Sequence, residues 1–249
     1  MKNIVLLNPK GGCGKTTIAT HIASYAATLG LRVALADHDS QQSSLDWLKV
    51  RPRHCADITP ISAYDGASLE GNYDVIVHDM PATMLPGCIN IASACDKLLI
   101  PVMPSPIDLK ATLRLWMTLS NMGWLDNDAM DISVIANRTK AGTKYLDTFY
   151  SFLRRINIPV VGSLRDTQSY IRALDAGLSL FDLPPYRVAK DLAQWEPIMV
   201  WADLFSFDNL ALMGDGGALP EELSVDNEVI SLEEFYDEKR QEELEQDCY

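Results

Sequence analysis

The sequence predicts an α/β doubly wound fold, a mainly parallel sheet with helices on both faces, and two observations carry that expectation. Short β-branched and apolar runs recur along the chain, each followed by ten or more residues of helix-like pattern, as buried parallel strands require. A glycine-rich loop also stands directly between the first such run and the first helical stretch, where α/β folds place a phosphate-binding turn.

Taken in order, Ile4 to Leu7 reads as the first strand and Lys15 to Leu29 as the first helix, stopped at Gly30. Val33 to Ala36, Val75 to Val77 and Leu98 to Val102 read as further strands. A helix over Leu109 to Met122 ends before Gly123. The strand Ile132 to Ala136 leads to a helix over Thr143 to Ile156, and a short strand at Val160 to Val161 to a helix over Thr167 to Ala176, stopped by Gly177. A last helix is expected over Ala189 to Met213. Residues 1–213 form the expected main domain and 214–249 an acidic linker and tail. Residues 213–220 have linker composition, and Ser231 with Glu234 makes a capping-box pattern ahead of Phe235 and Tyr236, compatible with one short helix or a solvated tail.

Composition narrows the function classes. The 249 residues are 47% apolar and 22% charged, enough for one large domain with a core. No apolar run approaches the ~20 residues of a membrane span, and the chain opens straight into a motif instead of an export signal. Cys13, Cys55, Cys88, Cys95 and Cys248 are scattered without a CxxC pair, which points to reduced thiols in a cytoplasm. The net charge of −13 argues against nucleic-acid binding only until it is divided along the chain. From Gly214 onward there are 13 acidic and 2 basic residues, which leaves residues 1–213 nearly neutral.

The chemistry concentrates at Asn8-Pro9-Lys10-Gly11-Gly12-Cys13-Gly14-Lys15-Thr16-Thr17. Glycines let successive backbone N–H groups turn toward phosphate oxygens, and the following helix start favours an anion. Lys15 then belongs on the β- and γ-phosphates, and the Thr16 hydroxyl on Mg²⁺. The strict Walker pattern wants glycine where this chain has Pro9, and a second lysine, Lys10, precedes Lys15 by five residues.

This KGGxGKTT variant resembles the deviant Walker A motif of the ParA/MinD family of ATPases, and the resemblance covers roughly residues 1–190. Leu35 to Gln41 is similar to the family's DxDPQ segment with Ser40 in the proline position. Tyr73 to Pro81 looks like its Walker B strand ending at Asp79. Ile100 to Leu109 and Val134 to Arg138 resemble its later segments. The resemblance implies an ATP- and Mg²⁺-dependent ATPase in which two subunits close over two nucleotides and Lys10 reaches the partner's phosphates, as an arginine finger does elsewhere. By the same token Gly11, Gly12, Cys13, Gly14, Lys15, Thr16 and Thr17 bind phosphates. Asp39 activates water and, with Thr16 and Asp79, holds Mg²⁺; Asp37 supports the switch segment. Asn137, whose amide both donates and accepts, and Arg138 contact the base. His38 and His78 receive no catalytic role, and Cys13 is either a packing thiol or an oxidation site.

The family's members bind a surface in the ATP state. An acidic C-terminus disfavours the membrane. Residues 138–190 carry nine basic and four acidic residues, and Arg154, Arg155, Arg165, Arg172 and Arg187 are the candidates for nonspecific DNA contact. The resulting expectation is a cytoplasmic, nucleoid-associated homodimer with ATP that positions a plasmid, chromosome or protein cargo, relieved by a cargo adaptor that stimulates hydrolysis. The competing expectation is a metabolic or cofactor-assembly enzyme on the same fold, or a nucleotide-holding switch with little turnover.

Overall fold

Central strands apolar on both faces settle side by side, and the helices between them supply the cover that such strands need. A computed structural model describes residues 1–83, 86–204, 222–225 and 228–231. In chain order the elements are β1 (Lys2–Leu6), α1 (Lys15–Thr28), β2 (Val33–Asp37), α2 (Ser43–Val50), β3 (Thr59–Ser62), β4 (Val75–Asp79), α3 (Pro86–Ala92) and β5 (Lys97–Val102). There follow α4 (Pro106–Asn121), β6 (Asp131–Thr139), α5 (Lys144–Arg155), β7 (Val160–Arg165), α6 (Gln168–Asp175), α7 (Pro185–Leu192), α8 (Glu196–Trp201), β8 (Glu222–Val225) and β9 (Glu228–Ser231).

Seven strands form one all-parallel sheet in the order β3-β2-β4-β1-β5-β6-β7. β1 is central, and the winding direction changes beside it, the position where open α/β sheets bind ligands at their carboxyl edge. Register fixes which residues meet there: Asp79 lies level with Leu6 on one side and with Asp37 on the other. One core joins Val5, Leu7, Leu98, Ile100, Val134 and Ala136 of the strands to Leu115 and Leu119 of α4 and Phe149 and Leu153 of α5.

α1 is buried along almost its whole length, from Lys15 to Ala27, and ends as expected at Gly30, whose φ of +78° suits glycine. Three elements of the large sheet and its helices, β3, α2 and α3, escaped the sequence pattern. β3 is four residues containing Pro60 and pairs only with β2, as an edge strand tolerates. α2 and α3 span eight and seven residues, too short for a strong helical period.

The long helix expected over Ala189 to Met213 is instead two short ones. Pro197 lies in the first turn of α8, where its missing N–H is harmless, but within one continuous helix it would break an i to i−4 bond. The continuation past residue 204 lies outside the described residues. The chain divides into Met1–Leu210 and Ala211–Tyr249. Within the second unit β8 and β9 form an antiparallel pair, which the sequence reading did not foresee. Ser231, expected to cap a short helix, closes β9, and the helix itself would fall on residues outside those described.

Candidate functional site

The loop after β1 turns into α1 through Gly14, whose φ is +97° and whose carbonyl accepts from the Ile18 N–H at 3.0 Å. Only glycine takes that conformation without strain, and a Cβ added there would stand 2.2 Å from Asn137 Nδ2. Lys15 is buried and folds back on its own loop, Nζ donating to the Asn8 carbonyl at 3.1 Å and the Lys10 carbonyl at 3.4 Å. These carbonyls hold the ammonium at the mouth of the glycine turn. Cys13 is fully buried with Sγ 3.3 Å from the Lys10 carbonyl. Burial raises its pKa against the opposing pull of Lys15, so packing is its role and not ready oxidation.

The two acidic segments divide their labour. Asp37 Oδ1 accepts from the Asp39 N–H at 2.9 Å, while Oδ2 accepts from the Ser44 N–H at 3.0 Å and the Ser44 hydroxyl at 2.6 Å. Asp37 therefore shapes the turn between β2 and α2, the supporting part foreseen from sequence. That turn presents Asp39, half-buried, with Oδ1 accepting from the Gln41 N–H at 3.0 Å.

Asp79 is buried and its Oδ1 has no hydrogen-bond partner among the described residues. Burial pushes its pKa up to about 7, opposed by a hydrogen bond from Thr16, reinforced by the neighbouring Asp37, and opposed again by Lys15. An orphaned carboxylate oxygen beside a threonine hydroxyl is the donor chemistry a hard divalent cation takes, so Thr16, Asp79 and the nearby Asp39 fit Mg²⁺. A cavity of about 530 Å³ joins these groups, lined by the glycine loop, Lys15, Thr16, Thr17, Asp39, Asp79, Asn137 and Arg138.

Asn137 is engaged on the loop itself. Nδ2 donates to the Cys13 carbonyl at 2.8 Å and Oδ1 accepts from the Arg138 N–H at 2.9 Å. Arg138 follows with φ of +54° and an exposed side chain 3.9 Å from Asp166. The same cavity wall continues through Arg165, Asp166, Thr167, Tyr170 and Ile171, none of which the motif reading had assigned to the nucleotide.

The arginines proposed for DNA are distributed over α5, β7, α6 and α7. Arg165 is exposed, its guanidinium paired twice with buried Asp191, at 2.5 and 3.1 Å, and it lines the cavity. Arg154 and Arg155 are exposed at the end of α5, whose apolar side joins the α4 core. Arg172 and Arg187 are exposed on α6 and α7, which pack around the turn at Leu180–Asp182 together with α1.

His38 and His78 form a buried pair. His78 Nε2 lies 3.3 Å from the Asn3 side-chain oxygen, so that nitrogen carries the proton, and His38 Nε2–H donates to His78 Nδ1 at 3.0 Å. Burial lowers both, to about 4 and about 3, and both stay neutral, in keeping with no catalytic role.

The model for the CobQ/CobB/MinD/ParA nucleotide-binding domain matches residues 4–180. This chain belongs to that family. Within the ParA/MinD group it is 28% identical over 189 residues to the maintenance of carboxysome distribution protein A of Halothiobacillus neapolitanus, covering 72% of this chain and 87% of the relative. It is 28% identical over 156 residues to the chromosome-partitioning ATPase Soj of Thermus thermophilus, covering 49% and 63%. Among solved structures it resembles an ATP complex of Cyanothece McdA (TM-score 0.66, 18% identity, 83% and 98% covered). It also resembles MinD in the MinC:MinD complex of Aquifex aeolicus (TM-score 0.59, 21% identity, 88% and 98% covered). These likenesses bear out the ParA/MinD resemblance and the doubly wound P-loop fold. No helix among the described residues is long and apolar enough to cross a membrane.

Proposed function

We propose that this chain is a ParA-like ATPase that pairs with a second copy when ATP is bound, holds nucleoid DNA without sequence preference in that state, and positions an intracellular cargo. An adaptor on the cargo would stimulate hydrolysis and release it. The observation that carries the reading is one cavity bringing together the glycine loop, Lys15, Thr16, Asp39 and Asp79, on a loop that also holds a second lysine. The relatives named for carboxysome distribution and chromosome partitioning support a positioning role.

In this mechanism the loop N–H groups and Lys15 take the phosphates, Lys15 exchanging its two loop carbonyls for phosphate oxygens. Thr16, Asp39 and Asp79 would hold Mg²⁺, which neutralises phosphate charge when bound. Asp39 orients the attacking water, Asn137 and Arg138 border the base, and Lys10 of the paired protomer supplies charge worth ~10³ to 10⁵ in rate where an arginine finger does so. Arg154, Arg155, Arg165, Arg172 and Arg187 remain as exposed phosphate contacts.

The test is turnover and light scattering with ATP. Lys15→Ala should lose nucleotide binding, Lys10→Ala should bind nucleotide yet lose hydrolysis and pairing, and Asp39→Ala should accumulate as a dimer. Wild-type turnover in Lys10→Ala sinks the reading. DNA retention should require ATP and weaken steeply as salt rises.

A further inference from the structure

The second lysine of the loop already has a partner. Lys10 Nζ lies 2.5 Å from Asp108 Oδ1 in the first turn of α4, with side-chain exposures of 31% for Lys10 and 3% for Asp108. The other Asp108 oxygen accepts from the Ser105 hydroxyl, and the Asp108 N–H donates to Ser105 Oγ at 3.2 Å. Ser105 is the N-cap of α4, so the helix start that forms the cap also fixes the carboxylate. On the loop side the Lys10 N–H donates to Asn8 Oδ1 at 2.9 Å, and Asn8 Nδ2 donates to the Pro101 carbonyl at 2.7 Å. The side chain of Lys10 is thus moored to α4, and its backbone through Asn8 to β5, of their own chain.

A buried carboxylate deprived of its cation is costly, far more so than an exposed one. Sending Lys10 to another protomer's phosphates would leave Asp108 in that condition. We propose that Asp108 is a positioning residue that parks Lys10 in its own chain and thereby sets the concentration at which ATP-bound protomers pair. The inference rests on the trans role of Lys10 given above. A lone chain keeps its catalytic cation on Asp108, and only an assembled dimer gains enough elsewhere to pull it away.

Asp108→Asn preserves shape and the Ser105 cap while removing the charge. It should pair with ATP at about tenfold lower protein concentration than wild type, the scale expected for release of a partly exposed ion pair. The Lys10→Ala, Asp108→Asn double variant should pair no better than Lys10→Ala alone. In nucleotide-free protein, Lys10 should be acetylated several-fold faster by acetic anhydride once Asp108 is Asn, read by peptide mass spectrometry against Lys49, whose side chain is 70% exposed. If Asp108→Asn does not fold, Ser105→Ala, which loses the hydroxyl bonded to the carboxylate, should shift pairing and acetylation the same way to a smaller extent.

Wild-type pairing in Asp108→Asn, a shift that survives in Lys10→Ala, or an unchanged Lys10 acetylation rate each overturns the proposal. An inactive Lys10→Ala beside a wild-type Asp108→Asn defeats only this proposal. A fully active Lys10→Ala defeats the trans-lysine reading and takes this one with it.

Discussion

Asn137 Nδ2 donates to the Cys13 carbonyl across 2.8 Å, so the carboxyl end of β6 is tied to the middle of the phosphate loop. The bond satisfies a loop carbonyl and fixes its direction. Asn137→Ala should cost about 1–2 kcal/mol of stability, as for a lost bond to a buried group, and weaken ATP binding in a fluorescent-analogue titration. Gly14→Ala should do worse, since its φ of +97° and the approach to Asn137 both oppose a side chain. We expect nucleotide binding at least about a hundredfold weaker with the circular dichroism spectrum kept. Tight binding by Gly14→Ala would show that the loop rearranges freely.

Asp37 has a structural task that its place in the second motif conceals. Removing its carboxylate in Asp37→Ala strands the Asp39 and Ser44 N–H groups and the Ser44 hydroxyl, at about 3 kcal/mol by the usual cost of unsatisfied buried donors. Ser44→Ala removes one donor and should cost about 1 kcal/mol. Urea midpoints of the two variants give the comparison, and equal losses would argue that the carboxylate itself contributes nothing to the turn.

His21 makes stability depend on acid. It is fully buried, its Nδ1–H donates to the Thr17 carbonyl at 2.7 Å, and its Nε2 accepts from the Leu180 N–H at 3.2 Å. A proton on Nε2 would set two donors against each other. Burial lowers the pKa to about 4 from an ordinary 6.5, so the unfolded chain binds more protons between those values. Stability is therefore complete above pH 6.5 and falls as pH drops toward 4, by about 3 kcal/mol from this residue. His21→Gln should shift the wild-type slope of urea midpoint against pH in that window by its own contribution, on top of slopes of the same sign from His38 and His78 and of the opposite sign from Asp79, which is raised to about 7. Identical slopes would place the acid sensitivity elsewhere.

Arg51 and Asp182 form an ion pair with side chains 6% and 5% exposed, and Asp182 also accepts from Ser24 and Ser179. Asp182→Ala should cost about 3–5 kcal/mol, because it strands a buried guanidinium. Adding Arg51→Met should recover part of that loss. A double variant no better than Asp182→Ala would mean that Arg51 finds water instead.

Much of this was legible in the sequence. The strands that became the sheet centre held short apolar runs, most of them followed by helix-like stretches, and the phosphate loop announced itself by order: strand, glycines, lysine, threonine, helix. Asp39 and Asp79 followed from the likeness of their segments to the family's DxDPQ and Walker B motifs. Asp108 did not, although Ser105-x-x-Asp108 before an apolar run is a helix-start signal; nothing local says that a capping carboxylate will meet a lysine 98 residues away. The pairing of Arg165 with Asp191 was hidden for the same reason, since it depends on how α7 returns to β7. The break before α8 was visible in Pro197 but was outweighed by the apolar run around it.

His21 lies parallel to Trp195 at 5.2 Å between ring centroids, with Tyr170 and Phe181 against the same imidazole. The first helix to leave the ribosome is thus roofed by a ring synthesised 174 positions later. Every strand of the large sheet precedes residue 166, yet the rings that cover this side of α1 all come later in the sequence. Covering that side of α1 is therefore a long-range contact that closes only after the sheet's own strands are in hand, the kind of contact that slows folding.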